Sequence, residues 1–303
     1  TGALISNKAG SVNLNEIADT VRYLTDGIAK YDKYDYSIIE CLLADGTEIA
    51  FPNYTNFDGL RAWPVVEIKN TAFQNIMFTG DFVMNNLEVA NDYEFINSIF
   101  NGIFSCEKVK YVGDNAFCNS QFNDVFNCPN LQTVGNGAFY ISAFTGVFNC
   151  PNLQAVGYGA FYISNFTGVF NCPNLQTVGN SAFLCSQFDD VFNCPNLQTV
   201  GNDAFYISVF TGVFNCPNVT SIGNYAFEQS QFTGSFNCPN VTLVGDNAFL
   251  NSVFDTITIG ANAVLGSNCI GAYSTEFIQD YADNGKLAGT YVWDEVTQHW
   301  IYQ

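Results

Sequence analysis

One six-residue phrase recurs at a fixed step and constrains everything else about this chain. Phe-Asn-Cys-Pro-Asn-Leu begins at Phe126 and returns from Phe148, Phe170 and Phe192; from Phe214 and Phe236 it returns with valine in the last place. The step is 22 residues each time. A unit this short cannot bury its own apolar face, so tandem copies must stack and share a core. The 303 residues therefore read as one repeat array with two ends to close, rather than as two globular domains.

Two phenylalanine columns run at the same step. One passes from Phe73 through Phe95 and Phe117 to Phe249, the other from Phe78 through Phe100 and Phe122 to Phe254. They define nine coils, the first two carrying Phe82 with Met84 and Phe104 with Cys106 in place of the full phrase. In a coil such as 148–169, Phe148 and Cys150 alternate with Asn149, which predicts a short strand with Phe148 and Cys150 inward and Asn149 outward. Pro151 lacks an N–H donor and ends that strand. Leu153 and Val156 return to the core. Gly157 reads as a turn residue with positive φ, and Ala160-Phe161 as a tight 3₁₀ or single-turn helical segment on the convex side. The fold class predicted is an α/β solenoid, a right-handed leucine-rich-repeat-like coil with a parallel sheet.

The period also decides the cysteines. Seven of the eleven, Cys106, Cys128, Cys150, Cys172, Cys194, Cys216 and Cys238, fall on it. Stacked about 4.8 Å apart, they present parallel Cβ vectors that hold the Cβ atoms too far apart for a disulfide. A straight line of sulfurs does not close a tetrahedron around zinc. They read as buried free thiols packing as small hydrophobes. Cys41, Cys118, Cys185 and Cys269 lie off the column. No metal and no cofactor is expected.

Charge excludes whole classes of partner. Only 12% of residues are charged, and the net charge of −19 reflects missing bases: no Lys or Arg occurs between Lys110 and Lys286. Phosphate neutralisation needs basic side chains, so nucleic acid and anionic membrane surfaces are excluded as partners. No run of about 20 apolar residues predicts a membrane span. The chain opens at Thr1 rather than Met, with no signal-peptide core after it, which points to a processed or truncated start.

The ends depart from the repeat. Within residues 1–60, Asn13 and Glu16 form a capping-box pattern ahead of Leu14, Ile17, Ala18, Val21 and Leu24, predicting a helix that ends at Gly27. The runs Ser37–Leu43 and Thr47–Phe51 flank Asp45-Gly46 and predict a β-hairpin. Together they form an N-terminal cap. Residues 61–259 hold the repeats. In 260–303, a short helix at Glu276–Tyr281 and an aromatic hairpin at Gly289–Tyr302 read as the C-terminal cap, with Trp293 and Trp300 over the end of the core.

The order apolar-x-apolar-Pro, then Val/Ile-Gly-x-x-Ala-Phe, resembles the BspA-like class of leucine-rich repeats. It appears as Val134-Gly135 with Ala138-Phe139, Val178-Gly179 with Ala182-Phe183, and Ile222-Gly223 with Ala226-Phe227. The resemblance covers about two thirds of the chain. Two departures stand out: the period is one residue shorter than the family's usual length, and Ser120, Ser142, Ser164 and Ser208 stand where that family usually has cysteine. The resemblance implies a secreted or cell-surface adhesion protein that binds protein or glycan on host or microbial surfaces. The segment Asn15–Gly27 is also similar to an N-terminal segment of phage-tail proteins that carry such repeats, which implies the alternative of a structural, virion-associated module.

Little in the chain points to catalysis. His299 is the single histidine, and it lies in the C-terminal cap, so Ser/His/Asp and Cys/His arrangements lack material. Asp124 and Asp190 are three repeats apart, about 14 Å, too far to share one carboxylate site. The chain is expected to have no catalytic residues and not to be an enzyme. A surface is the stronger candidate. Outward strand residues stack into a ladder of Asn127, Asn149, Asn171, Asn193, Asn215 and Asn237, flanked by Val147, Val169, Val191 and Val213, with Thr145 and Thr167 just before it. Stacked amides also bond along a ladder and stabilise it, so the ladder admits both a binding and a structural reading. A second candidate is the turn after Ala-Phe, with Tyr140-Ile141, Tyr162-Ile163 and Tyr206-Ile207.

Overall fold

In the computed structural model the described residues are the strands Tyr23–Thr25, Ala29–Asp32, Ile38–Cys41 and Glu48–Ile49 and residues 73–303, apart from 86, 191, 212, 213, 232–235, 253 and 255. The chain winds into stacked coils whose strands pair in parallel with the residues 22 positions on, Phe126 with Phe148 and Phe148 with Phe170. Each complete coil carries three two-residue strands where one was anticipated. In the coil that starts at residue 143 they are Ala143–Phe144, Phe148–Asn149 and Ala155–Val156. Equivalent strands stack into parallel sheets of eight, seven and nine strands.

Each strand points one residue inward, and the inward residues are almost wholly apolar. Three phenylalanines per coil form the centre. Phe126 stacks on Phe148 at 4.9 Å and 2°, while Phe139 meets Phe126 edge-on at 5.4 Å and 89°. Coils set about 4.8 Å apart by backbone hydrogen bonding place ring on ring at stacking distance, and the columns meet edge-to-face, the two favoured aromatic geometries.

Every letter of the repeated phrase has a place. Phe148, Cys150 and Leu153 are fully buried. Asn149 faces outward. Pro151 and Asn152 make the corner, and Asn152 Nδ2 donates to the Pro129 carbonyl of the preceding coil at 2.9 Å. The same bond recurs from Asn196, Asn218 and Asn240 to Pro173, Pro195 and Pro217.

The Ala-Phe segment is a pair of turns rather than a helix. Tyr140 N–H donates to the Gly137 carbonyl and Ser142 N–H to that of Phe139, both to the residue three earlier. Gly137 and Ile141 bracket it in the left-handed region, at φ 57° and 56°, so no right-handed helix can run on. The N–H groups of Gly137, Phe139 and Ile141 donate to Tyr158, Ala160 and Tyr162 of the next coil, which makes this side a further ladder.

Serine replaces cysteine here for a reason visible in this ladder. Ser142 is buried, and its Oγ donates to the Phe117 carbonyl at 2.8 Å while accepting from Ser120 N–H at 3.3 Å. Positive φ was expected at Gly157, but it belongs two residues later, at Gly159. Gly157 is required by closeness: a Cβ there would lie 2.9 Å from the Gly135 carbonyl carbon of the preceding coil.

A hairpin was expected around Asp45-Gly46, which lies outside the described residues. Of the strands on either side, Ile38–Cys41 pairs antiparallel with Ala29–Asp32, while Glu48–Ile49 pairs in parallel with Met77–Phe78. An open solenoid edge offers a row of unpaired groups, and Glu48–Ile49 takes it. The predicted helix from Asn13 lies, up to residue 22, outside the described residues, and Tyr23–Thr25 is a strand. At the other end Phe236–Cys238 leaves the phrase ladder to pair with Thr256–Ile259, followed by the antiparallel strands Gly289–Asp294 and His299–Tyr302. Helix Ser274–Asp283 buries Phe277 and Tyr281, and Trp293 and Trp300 are buried beside them.

Candidate functional site

The phrase ladder carries its asparagines outward. Asn127 and Asn149 are half-buried, while Asn171, Asn193 and Asn237 are exposed. Their carboxamides are joined: Asn149 Nδ2 donates to Asn127 Oδ1 and Asn171 Nδ2 to Asn149 Oδ1, each at 2.7 Å. Asn127 Nδ2 continues the chain to Ser105 Oγ at 3.2 Å. Asn215 pairs with Asn193 through its backbone, and its side chain is outside the described set. Val147 is half-buried and Val169 is 39% exposed. Val191 and Val213 lie outside the described residues. Thr145 and Thr167 are exposed, and their hydroxyls lie 3.4 and 3.5 Å from the Phe122 and Phe144 carbonyls. The ladder itself is uncharged, and beside it the exposed Asp124, Asp189 and Asp190 are its acidic neighbours.

The cysteine column is sealed. All seven of its members are buried, and all are free thiols. Burial pushes the thiols of Cys106, Cys150, Cys172, Cys216 and Cys238 well above the ordinary range. Such groups stay protonated and are poor nucleophiles and poor metal ligands. Among the described residues no three His, Cys, Asp or Glu side chains are grouped to hold a metal. Asp124 and Asp190 sit three coils apart, with Gly146 and Gly168 at the equivalent position between them. His299 Nδ1 lies 2.8 Å from Asp280 Oδ1, and Asp280 Oδ2 accepts from Trp300 N–H at 2.7 Å. Both carboxylate oxygens thus tie the last strand to helix Ser274–Asp283, with the imidazole largely exposed.

The turn side is where coils differ. Two positions after the third strand of successive coils stand Asp92, Asp114, Asn136, Tyr158, Asn180, Asn202, Asn224 and Asp246. In seven of these eight its side-chain oxygen accepts the backbone N–H one coil on, at 2.7–2.9 Å. Tyr158 is the exception, and 64% of it is exposed. The next position is left-handed throughout and carries Asn115, Ser181, Asp203, Tyr225 and Asn247, but glycine at 137 and 159. Tyr140 and Tyr162 stack one coil apart at 5.2 Å and 26°. These substitutions together open a cleft of about 530 Å³ between the tyrosines, over the two glycines. Tyr140 and Tyr162 belong to the second sequence candidate. Tyr158 and Gly159 were missed there, although Gly-Tyr-Gly against Gly-Asn-x in the neighbouring coils was the available signal.

Residues 48–145, 113–233 and 154–275 match the sequence model of the BspA type leucine rich repeat region, in six copies. No curated protein matches the chain. Among solved structures the chain is similar to the pneumococcal vaccine antigen PcpA, with 11% identity over 82% of this chain and 86% of that one and a TM-score of 0.37. Likeness at that level says nothing about function.

Proposed function

The chain belongs to the BspA-type leucine-rich repeat family, and from that premise we propose that it is a non-enzymatic recognition protein of the cell surface or extracellular space. It contacts protein or glycan partners through an outer face of the solenoid. The observation that carries this reading is the extended polar surface that stacked coils present, with the uncharged asparagine ladder along it and no basic residue between Lys110 and Lys286. Extended faces of this kind are what repeat proteins offer to partners. Uncharged amides and hydroxyls suit neutral polar partners, and the charge of −19 disfavours anionic ones. The family's association with adhesion, the sealing of the cysteines and the use of both Asp280 oxygens within the cap all favour recognition over catalysis. No helix among the described residues is long and apolar enough to cross a membrane.

The direct test probes protein and glycan arrays with the labelled chain. Saturable binding to defined features supports the proposal. Silence on both arrays, with no change on Asn171→Asp and Asn193→Asp, overturns it.

A further inference from the structure

We propose that the turn-side cleft around Tyr158 is a binding site for a neutral pyranose sugar, formed by the coils that begin the turn at Asn136, Tyr158 and Asn180. The proposal deepens the recognition reading and rests on it.

Fold requirements argue against tyrosine at 158. Asparagine or aspartate there bonds the next coil's backbone in every other coil of the column, and a tyrosine hydroxyl is too far from its own backbone to do so. Tyr158 does not compensate by burial, since it is 64% exposed. Gly137 and Gly159 hold the following position in two adjacent coils, and at Gly137 the space is taken by Asn115 Oδ1, which an added Cβ would meet at 2.6 Å. At Gly159 an added Cβ would meet only the Tyr162 Cβ, at 4.0 Å, so the missing side chain leaves real space. Backbone geometry does not demand glycine, because Asn115, Ser181 and Asn247 hold the same left-handed conformation at φ 55°. The coil at Tyr158-Gly159 has thus lost both a backbone-bonding side chain and a covering one. The product is a tyrosine-walled cleft.

Its chemistry selects a ligand. Tyr140, Tyr158 and Tyr162 supply ring surface, and Asn115, Asn136 and Ser181 supply amide and hydroxyl groups at its margins. No lining residue is charged. A pyranose has an apolar C–H face for a ring and a periphery of hydroxyls that both donate and accept, which is the pairing these side chains meet. A volume of about 530 Å³ is in the range of small-molecule sites. Acidic sugars would meet the chain's negative field. Quaternary ammonium groups also favour aromatic walls, and they form the competing chemistry to be tested.

The experiment is a saturation-transfer NMR and calorimetric titration of the full chain. The probes are methyl glycosides of neutral hexoses and N-acetylhexosamines, with sialyllactose and choline alongside. Two variants use side chains that other coils already carry: Tyr158→Asn, as at Asn136 and Asn180, removes a wall and restores the column hydrogen bond, and Gly159→Asn, as at Asn115, fills the cleft. The proposal expects saturable binding of a neutral glycoside, weakened about tenfold by Tyr158→Asn and abolished by Gly159→Asn, with neither variant unfolded. Absence of binding by every neutral glycoside overturns it, as does undiminished binding in both variants or a preference for choline or sialyllactose. If arrays detect ligands that survive Tyr158→Asn and are lost on Asn171→Asp with Asn193→Asp, the cleft proposal fails and the recognition reading stands.

Discussion

The backbone N–H of Tyr158 donates to Asn136 Oδ1 at 2.9 Å, but Tyr158 offers no such acceptor to Asn180 one coil further on. Among the described residues, a ladder that otherwise runs from Asp92 to Ser267 is interrupted at Tyr158. Tyr158→Asn should restore it and raise stability by about 1 kcal/mol, the typical net worth of one intramolecular hydrogen bond. Thermal unfolding followed by circular dichroism checks this. A clear fall in Tm would show that the ring packs against its own coil more than its exposure allows.

Ile141, Ile163 and Ile207 sit at φ 56°, 57° and 54°, where other coils carry Asn75, Asn97, Asn119 and Asn251. A β-branched residue in the left-handed region is strained, and these three remain 40–43% exposed. Asn97 Nδ2 and Asn119 Nδ2 also bond along their column at 2.8 Å. Ile141→Asn would relieve the strain and extend that column, so it should stabilise by about 1 kcal/mol. An unchanged or lowered urea midpoint contradicts the strain assignment.

Ser142 is buried and ties its coil to the preceding one by donating to Phe117 and accepting from Ser120. Ser142→Ala should cost about 1–2 kcal/mol. Because each coil contacts only its neighbours, the loss should appear as faster amide exchange in the coils at 117–164 and not at the array ends. Uniform loosening of the whole chain would contradict nearest-neighbour coupling.

The buried thiols make stability depend on alkaline pH. Burial raises the folded pKa of Cys106, Cys150, Cys172, Cys194, Cys216 and Cys238, and that of Cys269 to about 11, above the value of an unfolded thiol. The folded state therefore holds protons that the unfolded state releases. Stability is fully present below about pH 8.5 and is lost as pH rises through the window toward the folded values. Urea midpoints should be flat from pH 6 to 8 and fall steeply above about pH 9. In native protein at pH 8, iodoacetamide should label the half-buried Cys118 and Cys185 well before any column thiol. Early labelling of Cys150 or Cys172 would contradict the sealed column.

Much of this architecture was legible because a fixed step leaves few options. Once Phe126 and Phe148 are 22 residues apart and equivalent, they stack, and the cysteines between Asn127 and Pro129 must stack too. The three-strand coil was not legible. Pairs such as Ala143–Phe144 and Ala155–Val156 are too short to show a period of two, and their hydrogen bonds come from neighbouring coils. The pairing of Glu48–Ile49 with Met77–Phe78 was not legible for the same reason: it joins an edge far along the chain. Asn149 could be placed outward from alternation alone, whereas the cleft at Tyr158 arises from what Gly159 omits. Only a comparison of coils against one another exposes it.

The central claim is that this solenoid recognises protein or glycan partners through its outer surface. Arrays of glycans and extracellular proteins, probed in parallel with the wild-type chain, Tyr158→Asn and the Asn171→Asp, Asn193→Asp pair, test it most directly. The account predicts saturable binding by the wild-type chain, and its loss in one of the folded variants identifies the face responsible. No bound feature on either array, or binding that all the variants retain in full, would contradict it.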